Sequence, residues 1–502
     1  MTARIRLIMW TELPGLFLLL PFAGTVLVFL LPNQIRPYMG LLAAVLVFVF
    51  AWTVAVNVYL NGPVDINLGG WPQPLGIGIH IDGLSVLFLL LTATVGALVS
   101  VYAFSSFSLP ENTSKGPYFW PLWLVLWGGL NTLFSTADIF NTYVLLELVG
   151  ISAAALAALA GNLPSLIAAL RYFLVAMAGS LAFLLGVGFI YAQNGHLDMY
   201  TLAQSAPDTP LMAAAFGLIC VGLMSKTALF PFHFWLPPAH ANAPTPVSAV
   251  LSALVIKGSF FVILKFWFVV FHGLSGPKHT AWILGILALT AALWGSYQAL
   301  IQSRLKLIIA YSSVGQLGYM FLIFPLLSAG IDPAWKLQAW TGCGYQILSH
   351  GLAKAALFLA AGNLIQASGT DNIHQLRNIA VCLPMTSFTI GLAGVSLMGL
   401  PPSGGFMAKW MLLQAILASG QWWLTLVPIL GGLLTAGYMF RLLSHTFVSE
   451  DRAACYGRVF FSMEKTALLL ALSSILIGFR AQEVIFFLQE RTPALALGGL
   501  GP

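Results

Sequence analysis

Of 502 residues, 59% are hydrophobic and only 7% are charged. A soluble domain carries roughly 25% charged residues, so a soluble fold is excluded and the bilayer becomes the solvent against which the chain is read. The net charge of +6 is spread as single lysines and arginines with no basic tract, which speaks against nucleic acid as a partner.

A membrane barrel alternates polar and apolar residues along each strand. This chain instead has long apolar runs such as 41–56 and 467–479. A backbone in hydrocarbon must satisfy its own hydrogen bonds, so these runs predict helices. The fold class is an all-α integral membrane protein with about fourteen transmembrane helices, each near the ~20 residues that a crossing needs. Arg4 and Arg6 precede the first span, 13–31. They imitate a signal peptide, but no small-residue cleavage site follows, so the segment reads as a retained span. Spans at 38–60 and 82–105 are separated by NGPVDINLGGWPQPLGIGIHI, residues 61–81. Its glycines, prolines and alternation predict a small hairpin outside the membrane. Further spans are expected at 118–136, 138–160, 165–193, 211–231, 239–272, 280–299, 305–328, 335–367, 383–416, 421–446 and 463–489. Several exceed one straight crossing, so tilts or breaks are expected.

Loop lysines and arginines set the orientation. One side receives Arg4, Arg6, Lys278, Lys336, Arg480 and Arg491; the other receives Arg36, Lys115, Arg171, Arg304, Lys306, Arg377, Arg441, Arg452, Arg458 and Lys465. The second, more basic side is expected in the cytoplasm, with both termini opposite. Cys220, Cys343, Cys382 and Cys455 show no metal-ligand spacing. Cys220 and Cys343 lie in apolar runs and read as packing residues, and no metal or cofactor is expected.

The chemistry is expected in the charges left inside apolar segments. Five are lysines: Lys226, Lys257, Lys265, Lys354 and Lys409; Glu147 is the single acid in the middle of a span. A charge at the bilayer centre costs several kcal/mol, and six along one chain are hard to explain as packing alone. In general an ammonium taken out of water holds its proton less tightly, which suits proton transfer. Asp138 lies about 180° from Glu147 around an ideal helix and reads as an interfacial residue or cap. Lys226, in GLMSKTALFPFHFWLPPAH, stands before Pro231, Pro237 and Pro238. Proline breaks a helix, and broken helices at membrane depth are where transporters place their sites. His233 and His240 lie just beyond the first break. Lys257 and Lys265 share the next span, with Lys265 near its end and expected to reach the surface. His350 and Lys354, in SHGLAKAALFLAAGNL, fall on one helix face and should point into the bundle. In SLMGLPPSGGFMAKWMLL, Lys409 follows Pro401 and Pro402. Lysine before a break near span 7 and lysine after a break near span 12 suit two inverted-topology repeats. The expected division is 1–117 for spans 1–3, 118–272 for the first repeat, 280–446 for the second, and 447–502 for the last helix and tail.

From about Asp82 to Lys409 the chain resembles the antiporter-like subunits shared by respiratory complex I, Mrp-type cation/proton antiporters and membrane-bound hydrogenases. The strongest stretches are FPFHFWLPPAHANAPTPVSAVLSALVIK, LKLIIAYSSVGQLGYM, SHGLAKAALFLAAGNL and GLPPSGGFMAKW. The stretch from His240 to Lys257 looks closest to the hydrogenase and Mrp D-type branches. The resemblance implies that Glu147 pairs with Lys226, that Lys257, His350 and Lys354 pass protons along a central polar axis, and that Lys409 stands at the exit. Two positions depart from the family pattern: Leu146 replaces a tryptophan, and Arg304 replaces an acid two residues before Lys306.

The implied function is proton translocation within a multisubunit complex, in a prokaryotic inner membrane or an equivalent coupling membrane. The implied partners are other membrane subunits, with protons, and Na⁺ or K⁺ where cation exchange drives the complex. No Rossmann glycine motif, phosphate loop or clustered cysteines are present. Redox chemistry, if the complex is an NADH/quinone- or hydrogenase-type translocase, would then belong to other chains. Two alternatives are a self-contained transporter of a small solute and a membrane anchor in an energy-coupling or inorganic-carbon-uptake assembly.

Overall fold

The computed structural model describes residues 2–71, 73, 76–448 and 459–492. Arg452, Cys455, Arg458 and the tail from 493 lie outside the described residues, as do the side chains of Arg4, Arg6 and Lys278.

Helices α1 (Thr2–Leu30) and α2 (Arg36–Asn61) lead into an antiparallel hairpin of β1 (Val64–Asn67) and β2 (Gly78–Ile81), as its turn residues imply. Helices α3 (Gly83–Ser106), α4 (Gly116–Leu133), α5 (Ile139–Ala158) and α6 (Leu163–Asn194) follow, then the short α7 (Met199–Ser205). The first break separates α8 (Pro210–Thr227) from α9 (Leu236–Asn242). Next come α10 (Thr245–Val250) and α11 (Ile256–Lys265), joined by a π turn over Leu251–Val255. Helices α12 (Ser275–Ile301), α13 (Leu305–Phe321) and α14 (Ile323–Leu327) precede the long α15 (Pro333–Ser368). After α16 (Ile379–Cys382), the second break parts α17 (Pro384–Met398) from α18 (Gly404–Ala418). The chain closes through α19 (Gly432–Thr446), α20 (Phe461–Leu476) and α21 (Ala481–Gln489).

Among the described residues, twelve segments are long and apolar enough to cross a membrane. Helix α4 is not among them, and α17 and α18 are each too short alone. Loops gather at two ends. At the hairpin end, Ile79 bridges Thr136 and Asp138 bridges Asp198, while Gly83 N donates to Arg491 O. At the opposite end Arg304 bridges Asn372, and Asn378 N donates to Val448 O. The middle of the bundle is formed by Thr245–Val270 and Pro333–Ser368, whose apolar cores are buried throughout.

Three expected boundaries change. Residues 239–242, expected to open the span 239–272, belong instead to the short α9 at the first break. Pro237 and Pro238 sit in the first turn of α9, where their missing N–H groups cost nothing, and the next helix starts after Pro244. The expected span 463–489 is interrupted at Arg480, leaving α21 as a separate short helix. Residues 383–416 are split at Gly399, whose left-handed φ of 80° ends α17. A side chain there would also strike Lys409, since an added Cβ would lie 2.6 Å from Lys409 Cδ.

Candidate functional site

The site is assembled by helices that approach one another closely. Helices α6 and α8 meet where Gly222 faces Gly179, and a Cβ on Gly222 would lie 2.4 Å from Gly179 O. That contact sets Lys226 at the end of α8 against α5. Lys226 Nζ lies 3.4 Å from Glu147 Oε1 and also donates to Leu146 O at 3.4 Å. Both side chains are largely buried. The break behind them is held by Trp235, whose Nε1 donates to Ser225 O at 2.9 Å and whose ring stacks on Tyr172. A cavity of about 20 Å³ touches Lys226, Gly150, Tyr172 and Ser259, enough for about one water. Thr227 Oγ1 donates to Ser259 Oγ at 3.0 Å and so ties the break to α11.

Lys257 is fully buried in the centre. In the π turn before it, Ile256 N reaches Leu251 O, one residue beyond the α-helical partner. Lys257 Nζ donates to Ser252 O in that widened turn, at 3.1 Å. Ser252 Oγ in turn meets Ser313 Oγ of α13 at 2.9 Å. Lys354 Nζ donates to Ile309 O at 2.9 Å and to Ser312 Oγ. His350 is buried one turn away and feels the charges of both Lys257 and Lys354. Both ring nitrogens of His350, and both of His240, are buried with no hydrogen-bonding partner. His240 packs edge-on to Phe358 and feels Lys354, Lys257 and Lys306.

The second break holds the far end. Lys409 Nζ donates to Leu397 O at 2.8 Å and Met398 O at 3.1 Å and lies 4.6 Å from the Tyr319 ring centre. These are the open carbonyls at the end of α17, where a helix presents partial negative charge. Gln346 Nε2 donates to Gln316 Oε1 at 2.9 Å, and Gln316 Nε2 donates to Leu397 O at 3.4 Å. Buried polar groups thus run from Glu147 through Lys226, Lys257 and Lys354 towards Lys409. Among the described residues, Glu147 is the one acid on that line.

Residues 136–435 match the family described as NADH:quinone oxidoreductase/Mrp antiporter, TM. The NADH-quinone oxidoreductase subunit N of Desulforudis audaxviator is 34% identical over 447 residues, covering 88% of this chain and 87% of that protein. The D-type subunit of the Na(+)/H(+) antiporter of Alkalihalophilus pseudofirmus is 29% identical, covering 86% of each. A chain of the membrane-bound sulfane sulfur reductase, an archaeal respiratory membrane complex, superposes with a TM-score of 0.87 at 27% identity, covering 97% of this chain and 98% of that one. The chain belongs to the NADH:quinone oxidoreductase/Mrp antiporter family.

Within this family member the expected residues fall into two groups. Glu147, Lys226, Lys257, His350, Lys354 and Lys409 lie along the central line, with His240 beside it. The others lie elsewhere. Asp138 caps α5, accepting from Asn141 N at 2.6 Å. His233 is half-buried at the first break, stacked on Phe230. Lys265 does not reach the surface, contrary to its expected course. It is buried, and its Nζ lies 2.6 Å from Asp82 Oδ2 and 3.1 Å from Tyr200 Oη. Lysine carried to the end of a span needs no water if an acid waits at the start of another. Lys306, counted with the loops, is also buried, with Nζ donating to Ala243 O at 2.8 Å. The acid missing two residues before Lys306 is supplied by another loop: Asp371 pairs with Arg304 at 2.8 Å and accepts from Lys306 N.

Removing one partner of a buried ion pair costs about 3–5 kcal/mol, whereas replacing both by apolar groups is often neutral. Asp82→Ala or Lys265→Ala is therefore expected to lower thermal stability clearly, and the double change Asp82→Leu with Lys265→Met to recover most of it. Melting of the assembled complex, followed by size-exclusion, gives the comparison. Unchanged melting in both single variants would show that the pair adds nothing, and a double variant no more stable than the singles would show that the loss does not come from an unpaired buried charge.

Proposed function

We propose that this chain translocates protons across a membrane as one subunit of a multisubunit complex, and that Glu147, Lys226, Lys257, His350, Lys354 and Lys409 carry the protons. The observation that supports this is the buried line of ammonium groups joining two helix breaks. Each ammonium rests on neutral oxygens, Lys226 also on Glu147, so its charge is held by groups that tolerate gain or loss of a proton. The same reading takes α4 and the α17–α18 pair as crossings, giving fourteen, with spans 4–8 and 9–13 as inverted repeats. It also takes the more basic end of the bundle as cytoplasmic. The relatives named as subunits of an oxidoreductase, an antiporter and a respiratory complex support membrane partners that supply the driving reaction. The cavity beside Lys226 suits water rather than a solute, which weighs against a self-contained solute transporter.

The test is to purify the chain alone, reconstitute it in vesicles, and follow proton exchange driven by a Na⁺, K⁺ or pH gradient, next to the complex isolated from the same membranes. The complex is expected to move protons and the isolated chain to show no coupled exchange. Strong antiport by the isolated chain would overturn the subunit reading and favour the solute transporter.

A further inference from the structure

A second chain of ionisable groups lies at the hairpin end, away from the central line. It starts in water at Asp65 of β1, whose side chain is 76% exposed. His80 of β2 stands opposite it, with Nδ1 2.6 Å from Asp65 Oδ1. That hydrogen bond, against some opposing burial, holds the Asp65 carboxyl below the usual carboxylate range. The His80 Nε2 is buried and has no hydrogen-bonding partner. It faces Asp82 Oδ2 at 3.9 Å, the oxygen that also holds Lys265 Nζ. Tyr200 of α7 completes the group, its ring 4.4 Å from that of His80 and its hydroxyl on Lys265. The titratable groups around His80 are thus Asp65 from the hairpin, Asp82 from the start of α3, Tyr200 from α7 and Lys265 from α11.

A latch that only pinned α3 to α11 would need Asp82 and Lys265, and these already satisfy each other, with Ser85 N on the second carboxylate oxygen. Asp65 and His80 extend the pair outward to water. The backbone fixes the imidazole in place: His80 pairs with Asp65 across the hairpin, and its N–H donates to Ser135 O at 2.7 Å. An imidazole so held, one nitrogen towards an exposed acid and the other towards a buried one, has the geometry of a two-sided carrier. Inward, Lys265 lies on the same helix as Lys257, about 12 Å further along it. Phe261, packed against Phe88 and Phe134, stands between them.

We propose that His80 shuttles protons between water at the hairpin face and the buried Asp82–Lys265 pair, so that the first half of the molecule has its own proton mouth at this end. The proposal rests on the reading of the chain as a proton translocator and adds a route to it. A proton from water taken up by the exposed Asp65 carboxylate passes to Nδ1 and makes the imidazolium; the Nε2 proton then goes to the Asp82 carboxylate, leaving a neutral ring protonated at Nδ1 and a neutral acid. The neutral acid no longer holds the Lys265 ammonium by charge, and Lys265 is then free to turn past Phe261 towards Lys257. The return path reverses these steps.

The test uses the assembled complex in vesicles. His80→Ala is expected to slow proton flux about a hundredfold, the scale of a lost proton carrier, and millimolar imidazole in the bath is expected to restore most of it. Full flux in His80→Ala overturns the proposal. So does a loss that imidazole leaves unrepaired while the complex stays assembled, because that outcome marks a structural role. Glu147→Gln, run in parallel, keeps the two readings apart. Its loss should not respond to imidazole, and unimpaired flux in that variant would count against the central line whatever His80→Ala does.

Discussion

Glu147→Gln is expected to lower proton flux through the assembled complex about a hundredfold, the scale of a lost acid–base group. Glutamine keeps the shape and can still accept a hydrogen bond from Lys226, so the fold should survive. What goes is the charge that holds the ammonium and the site that takes a proton. In the native pair, 3.4 Å apart, separating the two groups makes Lys226 a better proton donor and bringing them together makes it a better acceptor. With an amide in place of the acid, that difference vanishes and Lys226 keeps Leu146 O as its neighbour. Lys226→Ala removes the other half and should be as damaging, with the added cost of an unpaired buried carboxylate. Quenching of a pH-sensitive dye in vesicles, normalised to assembled complex, measures both. Native flux from either variant would show that the pair does not gate transport.

Lys257→Arg and Lys409→Arg should abolish flux almost as fully as the alanine changes. Arginine retains the positive charge but does not release its proton at any accessible pH. Lys257 and Lys409 donate their hydrogen bonds to backbone carbonyls, Ser252 O in one case and Leu397 O and Met398 O in the other. A guanidinium can donate to the same oxygens, so a lysine needed only as a cation would be replaced with modest loss. Lys409 offers the cleaner comparison, because its ammonium lies over the Tyr319 ring and a planar guanidinium stacks there readily. High flux in both arginine variants, set beside low flux in the alanine variants, would mean that fixed charge suffices and these lysines relay nothing.

The central residues were legible in the sequence because hydrocarbon leaves few reasons for a charge. Glu147 stood out as a lone carboxylate, and Lys226 and Lys409 stood beside proline breaks. His350 and Lys354 share a face by spacing alone. What escaped has a common cause: partners supplied by distant elements. Asp82 opens a span and looks like a helix cap, which it also is through Ser85 N; nothing local shows that its other oxygen takes Lys265. The π turn at Leu251–Val255 contains neither proline nor glycine, so no residue announced that a carbonyl near Lys257 would be turned to it. Gln316 and Gln346 read as ordinary polar residues until α13 and α15 are laid side by side. Prolines 237 and 238 read only as part of a break, and nothing beside them shows that they open the short α9.

The hydrogen bonds of the buried lysines share a direction along the chain. Lys226 finds Glu147 and Leu146, Lys257 finds Ser252, and Lys265 finds Asp82 and Tyr200. Lys306 finds Ala243, Lys354 finds Ile309 and Ser312, and Lys409 finds Leu397 and Met398. In every case the partner comes earlier in the sequence. A ribosome makes the chain from its N-terminus, so each of these ammonium groups enters the bilayer when the oxygen that will hold it has already been made. Each costly charge can be handed from the insertion machinery to a waiting acceptor, with no interval alone in lipid. Synthesis order and buried chemistry are thereby matched, and a circular permutation that placed α11 or α15 ahead of its acceptors should insert poorly even though every native contact remains available to the finished protein.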